Sequence, residues 1–153
     1  MWMMSFVLAA CGSTPDLVGT WHRVASEETI FDYEGTPIAW CATIDEALVL
    51  DVDGTYEDVR VRTPDDSPDA CDGDSAGEEV TTTEQGIWTL VRYDAGGSYV
   101  LVFERTRLVV QGEDDDTEDL FKLAVSYTIA WSEDNDGRNL WIDGIGMFES
   151  AAE

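Results

Sequence analysis

From Phe121 to Trp131 the chain alternates large apolar residues with small or polar ones. Phe121, Leu123, Val125, Tyr127, Ile129 and Trp131 fall on one face, and Lys122, Ala124, Ser126, Thr128 and Ala130 on the other. A period of two sustained over such a run predicts a β-strand buried on one side. At the usual rise it spans roughly 36 Å, which suits the wall of a small barrel better than a sandwich. Shorter segments with the same character occur at 19–24, 29–33, 47–52, 56–62, 80–83, 87–93, 99–104, 107–111 and 139–143, enough for eight strands. Asp53-Gly54, Gly96-Gly97 and Asp136-Gly137 lie between such segments and supply the positive φ angles of tight hairpin turns. No helical period persists for three turns; Ile44 to Leu50 comes nearest and runs directly into a strand. The pattern predicts an all-β fold, an antiparallel up-and-down barrel of about eight strands. With 153 residues the chain has room for one such domain, expected over 17–149.

One segment reads two ways. Tyr56, Asp58, Arg60 and Arg62 share a side of their strand, opposite Val59 and Val61. The expected arrangement turns the valines inward and leaves a charged exterior; the alternative is a polar lumen able to receive an anionic headgroup. The acid-rich stretches 63–79 and 112–119 are expected to be solvated loops at the barrel rim. Hydrophobic residues form 44% of the chain, so a core is available in spite of 33 acidic residues against 8 basic ones. The resulting formal charge of -25 repels phosphate backbones and anionic headgroups, which excludes nucleic acid as a partner of the folded body.

Residues 1–10 are uncharged and far shorter than the roughly 20 apolar residues of a spanning helix. Leu8, Ala9, Ala10 and Cys11, followed by Gly12 and Ser13, resemble a bacterial lipobox. The resemblance implies that 1–10 is a lipoprotein signal peptide, that Cys11 is lipidated, and that 11–16 is a tether. The run lacks a basic beginning and falls short of the usual signal length of about 15 to 30 residues, so the signal is expected to be truncated at Met1. The competing reading makes 1–10 an internal apolar strand and Cys11 an ordinary thiol. Lipidation implies stable membrane attachment in a bacterial cell envelope, and Gly12 in place of Asp after the cysteine implies the outer membrane. Cys41 and Cys71 then remain as a pair, which an oxidising compartment would join. Closing that loop of about 30 residues would contribute roughly 3 to 4 kcal/mol; the alternative is two free buried thiols. Without a CxxC pair, zinc is not expected.

Gly19-Thr20-Trp21, Asp53-Gly54-Thr55-Tyr56 and Gly86-Ile87-Trp88 occur in an order that resembles bacterial lipocalin-like lipoproteins, over most of 17–149. The resemblance implies a barrel whose first-strand indole plugs the narrow end and whose lumen holds one small apolar ligand. Trp21, Trp88, Tyr99, Phe103, Tyr127 and Ile129 are the candidate lining; the alternative makes the same residues a packed core. It also implies an arginine near the last strand lying over Trp21, to which no residue is assigned. Ser132 to Asp143 sets Asp134, Asp136 and Asp143 near EF-hand-like ligand positions, a weak calcium candidate because Ser132 opens the loop and Asp136-Gly137 reads equally as a hairpin turn. No other cofactor is expected. His22 is the single histidine and reads as a wall residue. No nucleophile motif occurs, so an enzyme is not expected. The expectation is therefore a monomeric, lipid-anchored barrel carrying a small apolar ligand. The alternative is a filled barrel whose acidic surface contacts an envelope protein or polymer.

Overall fold

The computed structural model describes residues 14–64, 79–92, 98–112 and 116–151. Nine strands follow in chain order: β1 (Gly19–Tyr33), β2 (Thr36–Leu50), β3 (Thr55–Pro64), β4 (Val80–Arg92), β5 (Tyr99–Gln111), β6 (Asp116–Asp119), β7 (Leu123–Asp134), β8 (Gly137–Ile142) and β9 (Gly146–Ala151). Every pairing is antiparallel. Pairing of β4 with β5 and of β1 with β9, the latter at His22 and Glu149, closes eight strands into an up-and-down barrel consistent with a lipocalin-like one. β6 stands outside this ring, beside the C-terminal half of β5.

Several expected short strands fuse into longer ones. The segments at 19–24 and 29–33 are one strand, β1. It pairs with β2 without interruption from Gly19↔Leu50 to Tyr33↔Thr36. The connection is a two-residue turn in which Glu34 and Gly35 both have positive φ, 51° and 81°, the geometry that matches strand twist. β3 leaves β2 at Ala42↔Pro64, so the rest of β1 and β2 continues past the wall as a two-stranded ribbon. Ile44 to Leu50, the nearest approach to a helical pattern, is strand throughout. The segment at 80–83 and the described part of that at 87–93 join as β4 through an irregularity at Gln85/Gly86, and those at 99–104 and 107–111 join as β5. The stretch 112–119 is only partly loop. Its second half is β6, which pairs with the edge of β5 that β7 no longer covers, while Arg107 bonds Glu118 at 2.8 Å. The stretch 65–78 and the Gly96-Gly97 turn lie outside the described residues.

β7 carries the expected alternation over its middle, with Val125, Tyr127 and Ile129 inward and Ala124, Ser126 and Thr128 exposed, but Trp131, expected on the inward face, is exposed near its end. Phe121 precedes the strand and is exposed. One end of the barrel is packed solid. Leu17, Trp21, Leu50, Leu101 and Leu140 are buried there, and the Trp21 indole donates to the Leu17 carbonyl at 2.8 Å. Arg138, the first residue of β8 after Gly137, lies over the Trp21 ring at 4.9 Å from its centroid. Its guanidinium also donates to the carbonyls of Asp16 and Val18 at 3.1 and 3.2 Å. It thus occupies the place over the first-strand indole for which no arginine was assigned from sequence. Arg138→Ala removes a cation–π contact and two charge-assisted bonds that fasten the incoming chain. It is expected to lower unfolding free energy by about 2 kcal/mol, read as a fall in thermal midpoint with altered near-ultraviolet Trp dichroism.

Candidate functional site

Above this floor the lumen changes character. On β3 the inward residues are Tyr56, Asp58 and Arg60, the arrangement that the sequence offered only as its alternative, while Val59 and Val61 are half-buried on the other face. The physical reason lies on the neighbouring strands. β2 points Glu46, Leu48 and Leu50 inward, and register sets Glu46 opposite Arg60 and Glu84 of β4 opposite Asp58. Opposite charges on three adjacent strands meet at one level, so the polar face can be buried at an acceptable cost.

The result is a cavity of about 260 Å³ lined by the charged level and, on the facing wall, by Phe103, Leu123, Val125, Tyr127, Ile145 and Phe148. It reaches solvent beside Leu123 and Arg60, which are 44% and 40% exposed. Three of the chain's eight basic residues, Arg23, Arg60 and Arg105, line it. Arg23 grips the buried Glu46 carboxylate with two nitrogens, one at 2.7 Å, and donates to the Ile145 carbonyl at 3.1 Å. Arg60 bridges Asp58 at 3.0 Å and Glu84 at 3.2 Å, with Glu46 at 3.5 Å. Tyr56 donates its hydroxyl to Glu84 at 2.7 Å and packs its ring 4.6 Å from that of Phe103, which in turn meets Tyr127 edge-on at 6.0 Å.

Arg105 Nε is buried in this lining with no hydrogen-bond partner among the described residues, and Asp58 Oδ1 is buried without a donor. Burial, together with the Glu46 carboxylate beside it, pushes the Asp58 carboxyl up to about 8, although Arg60 pulls the other way. Asp58 is therefore held as the neutral acid at neutral pH, able to share its proton with Glu46. Burial and the Glu84 bond likewise push the Tyr56 hydroxyl well above its ordinary value, and burial raises Tyr127. Burial works against the charge on Arg60, but Asp58, Glu46 and Glu84 outweigh it and hold the guanidinium protonated.

A carboxyl whose folded value lies above its unfolded one binds its proton more tightly in the folded state. Its contribution to stability is full below the unfolded value near pH 4 and is lost as pH rises through about 8. Asp58→Asn mimics the neutral acid at every pH. The variant is expected to match the parent near pH 4 and to exceed it in thermal midpoint increasingly toward about pH 9, as followed by circular dichroism at a series of pH values.

Of the candidate lining residues, Phe103 and Tyr127 face the cavity. Trp21 and Ile129 belong to the packed floor, and Trp88 and Tyr99 pack against it half-buried; the Trp88 indole donates to the Asp51 carbonyl at 3.0 Å. These four match the packed-core alternative. Tyr56, Asp58 and Arg60 belong to the polar-lumen alternative, while Arg23, Glu46, Glu84 and Arg105 were not among the sequence candidates. The signal for them was Glu46, an acid spaced on the same strand face as Leu48 and Leu50.

Cys41 is disulfide-bonded and sits where the β1–β2 ribbon leaves the wall; Cys71 and Cys11 lie outside the described residues. Asp134 and Asp136 flank the β7–β8 turn, where Asp134 accepts from the backbone nitrogens of Asp136 and Gly137 at 2.9 and 3.1 Å. Asp143 stands at the far end of β8, about 20 Å away at ordinary strand rise, so the three carboxylates do not converge. His22 is an exposed wall residue on β1. Comparisons with protein-family models, with curated proteins and with solved structures return no match to this chain.

Proposed function

We propose that the barrel binds one small, largely apolar ligand in the lumen and that it does so as a lipid-anchored, lipocalin-like protein of the bacterial cell envelope. The observation that carries this reading is the cavity itself: about 260 Å³, open at one end, with an aromatic and aliphatic wall above a solid floor. That volume falls just below the roughly 300 to 1,000 Å³ of ordinary small-molecule sites, which favours a compact ligand. Chain direction supports the anchored reading. Residues 14–17 enter beside the packed floor, where Leu17 meets Trp21. A diacylglyceryl group on Cys11 thus holds the floor toward the membrane, with the cavity mouth facing away from it. Gly12 after the cysteine favours the outer membrane.

The test is native mass spectrometry of the soluble chain beginning at Ser13, purified from an exporting host, with an organic extract analysed beside it. A co-purifying small mass that a Val125→Trp variant no longer retains supports the carrier. A bare chain that also fails to take up added apolar ligands supports the filled alternative, in which the acidic exterior contacts a basic envelope partner. Salt-sensitive pull-down then identifies that partner, because cavity binding responds little to ionic strength. Anchoring is read separately: the full chain partitions with membranes, and Cys11→Ala releases it.

A further inference from the structure

The barrel is closed by pairings of very unequal length. β1 meets β2 along all 15 of its residues, but meets β9 at His22↔Glu149 alone. β9 begins at Gly146, which that register sets level with Ala25. From Ser26 to Tyr33 this side of β1 therefore faces no strand among the described residues. The turn at Glu34 and Gly35 decides which backbone groups lie there. In a two-residue hairpin the flanking pair, here Tyr33 and Thr36, exchanges both ladder bonds. The register runs on without a break, so every second residue back from Tyr33 also bonds to β2, and those between turn their N–H and C=O the other way. Ser26, Glu28, Ile30 and Asp32 thus present theirs to the open edge. His22 follows the same alternation and turns to β9, as its pairing there requires.

Where β1 and β9 diverge they leave a groove of about 540 Å³, whose lips carry Val24 and Met147, 71% and 51% exposed. Past the groove, Ser26, Glu28 and Asp32 are exposed on the outer side of β1. Glu27, on the inner side, is paired with Arg62 at 3.2 Å, whereas Glu28 and Asp32 have no ion pair among the described residues. The edge carries none of the lysines, prolines or bulges that commonly guard a long exposed strand. Because β3 leaves β2 at Ala42↔Pro64, the ribbon beyond is two-stranded, an arrangement of marginal stability in water that a third strand would reinforce.

We infer that the open edge of β1 docks an extended segment of another protein as an added antiparallel strand, with an apolar residue entering the groove beside Val24 and Met147 and basic residues opposite Glu28 and Asp32. Backbone bonds supply the attachment, and alternate side chains choose the partner. A second copy of this chain fits poorly. It would bring a further Glu28 and Asp32 to the same short edge on a body of charge -25, and like charges across a strand pair repel. β1 runs from the floor at Trp21 past Arg23 in the cavity wall before it reaches the ribbon, so the docked segment lies at the mouth end. It lies outside the lumen, and the inference stands apart from the ligand reading.

The probe is acetyl-Lys-Thr-Thr-Thr-Lys-Thr-Thr-Thr-Val-amide, which in antiparallel register sets its lysines opposite Asp32 and Glu28 and its valine opposite Val24. It is titrated into the ¹⁵N-labelled soluble chain. The expected result is saturable binding that slows amide exchange at Ser26, Glu28, Ile30 and Asp32. Binding should be about ten-fold tighter than that of the same peptide with glutamate in place of lysine, and should weaken with added salt. Methylating the amide nitrogens of the third, fifth and seventh peptide residues, which face β1, should abolish binding, while methylating those of the fourth and sixth, which face away, should not. Glu28→Lys combined with Asp32→Lys should reverse the preference between the two peptides, and that reversal also verifies that the variant folds. Equal binding of the two methylated peptides, or exchange slowed elsewhere than on β1, marks general attraction to an acidic surface and overturns the inference. Failure of the lysine peptide to bind overturns it equally. Exchange at this edge that slows with concentration in the chain alone assigns the edge to a second copy instead.

Discussion

Replacing Glu46 with alanine is expected to cost about 3 to 5 kcal/mol of unfolding free energy, a fall of about 10 to 15 °C in thermal midpoint for a domain of this size. Glu46 is 2% exposed and accepts from Arg23, whose side chain is only 15% exposed, with Arg60 on its other side. Its removal leaves the Arg23 guanidinium buried without its counterion, and an uncompensated interior charge is far more costly than an absent ion pair. Part of the loss is recovered within the lumen. With the Glu46 carboxylate gone, one of the causes that keeps Asp58 protonated disappears, and ionised Asp58 takes over some of the pairing with Arg60. The effect of pH attributed to Asp58 should therefore shrink in this variant. Arg23→Met combined with Glu46→Leu should cost clearly less than the two single changes added together, because the pair then leaves as a unit. Thermal and chemical denaturation of the parent, Glu46→Ala, the two single changes and the double variant measures both expectations.

A second large effect is expected at Gly86. A Cβ built there falls inside the van der Waals reach of the Glu104 carbonyl oxygen and 2.9 Å from the Tyr56 ring. The first obstacle is backbone, which cannot rotate away as a side chain would. Gly86→Ala must open the β4–β5 ladder at its irregularity or displace Tyr56 from Phe103, with a cost of about 3 kcal/mol or more. Gly19 makes a milder contrast: a Cβ there meets Arg138 Nη2 at 2.8 Å, the end of a flexible side chain, although its φ of 138° adds strain. Because Gly86 also opens the space between Tyr56 and Arg105, Gly86→Ala should lose ligand retention as well as stability. Gly19→Ala, beside Arg138 and outside the cavity lining, should retain ligand. Denaturation midpoints and 1-octanol titration of the two variants separate these outcomes.

The wall of the barrel was legible in the sequence because a solvated exterior and a packed interior impose a period of two, clearest along β7. Turn chemistry at Asp53-Gly54 and Asp136-Gly137 marked hairpins correctly for the same local reason. Strand lengths were less legible. A bulge such as that at Gly86 resets the alternation and makes one strand look like two, and the β1–β2 ribbon runs on where no wall imposes a pattern. The lumen was misjudged where partners lie far apart in the chain. Asp58 and Arg60 look like surface residues when Val59 and Val61 are weighed alone, and they become interior ones only beside Glu46 and Glu84, which register brings level with them. Arg138 escaped notice because its target, Trp21, lies at the other end of the chain. The Asp134 to Gly137 turn nevertheless fixes Arg138 as the first wall residue of β8.

The claim on which the account turns is that the charged row of β3 faces a lumen that admits a ligand. Amide chemical shifts of the ¹⁵N-labelled soluble chain, followed while 1-octanol is added, test it most directly. The account predicts shifts that saturate at one equivalent and centre on Asp58, Phe103, Arg105, Leu123, Val125 and Ile145, with the floor around Leu17, Trp21 and Leu140 little changed. Shifts confined to exterior positions, or no saturable shift, would contradict it.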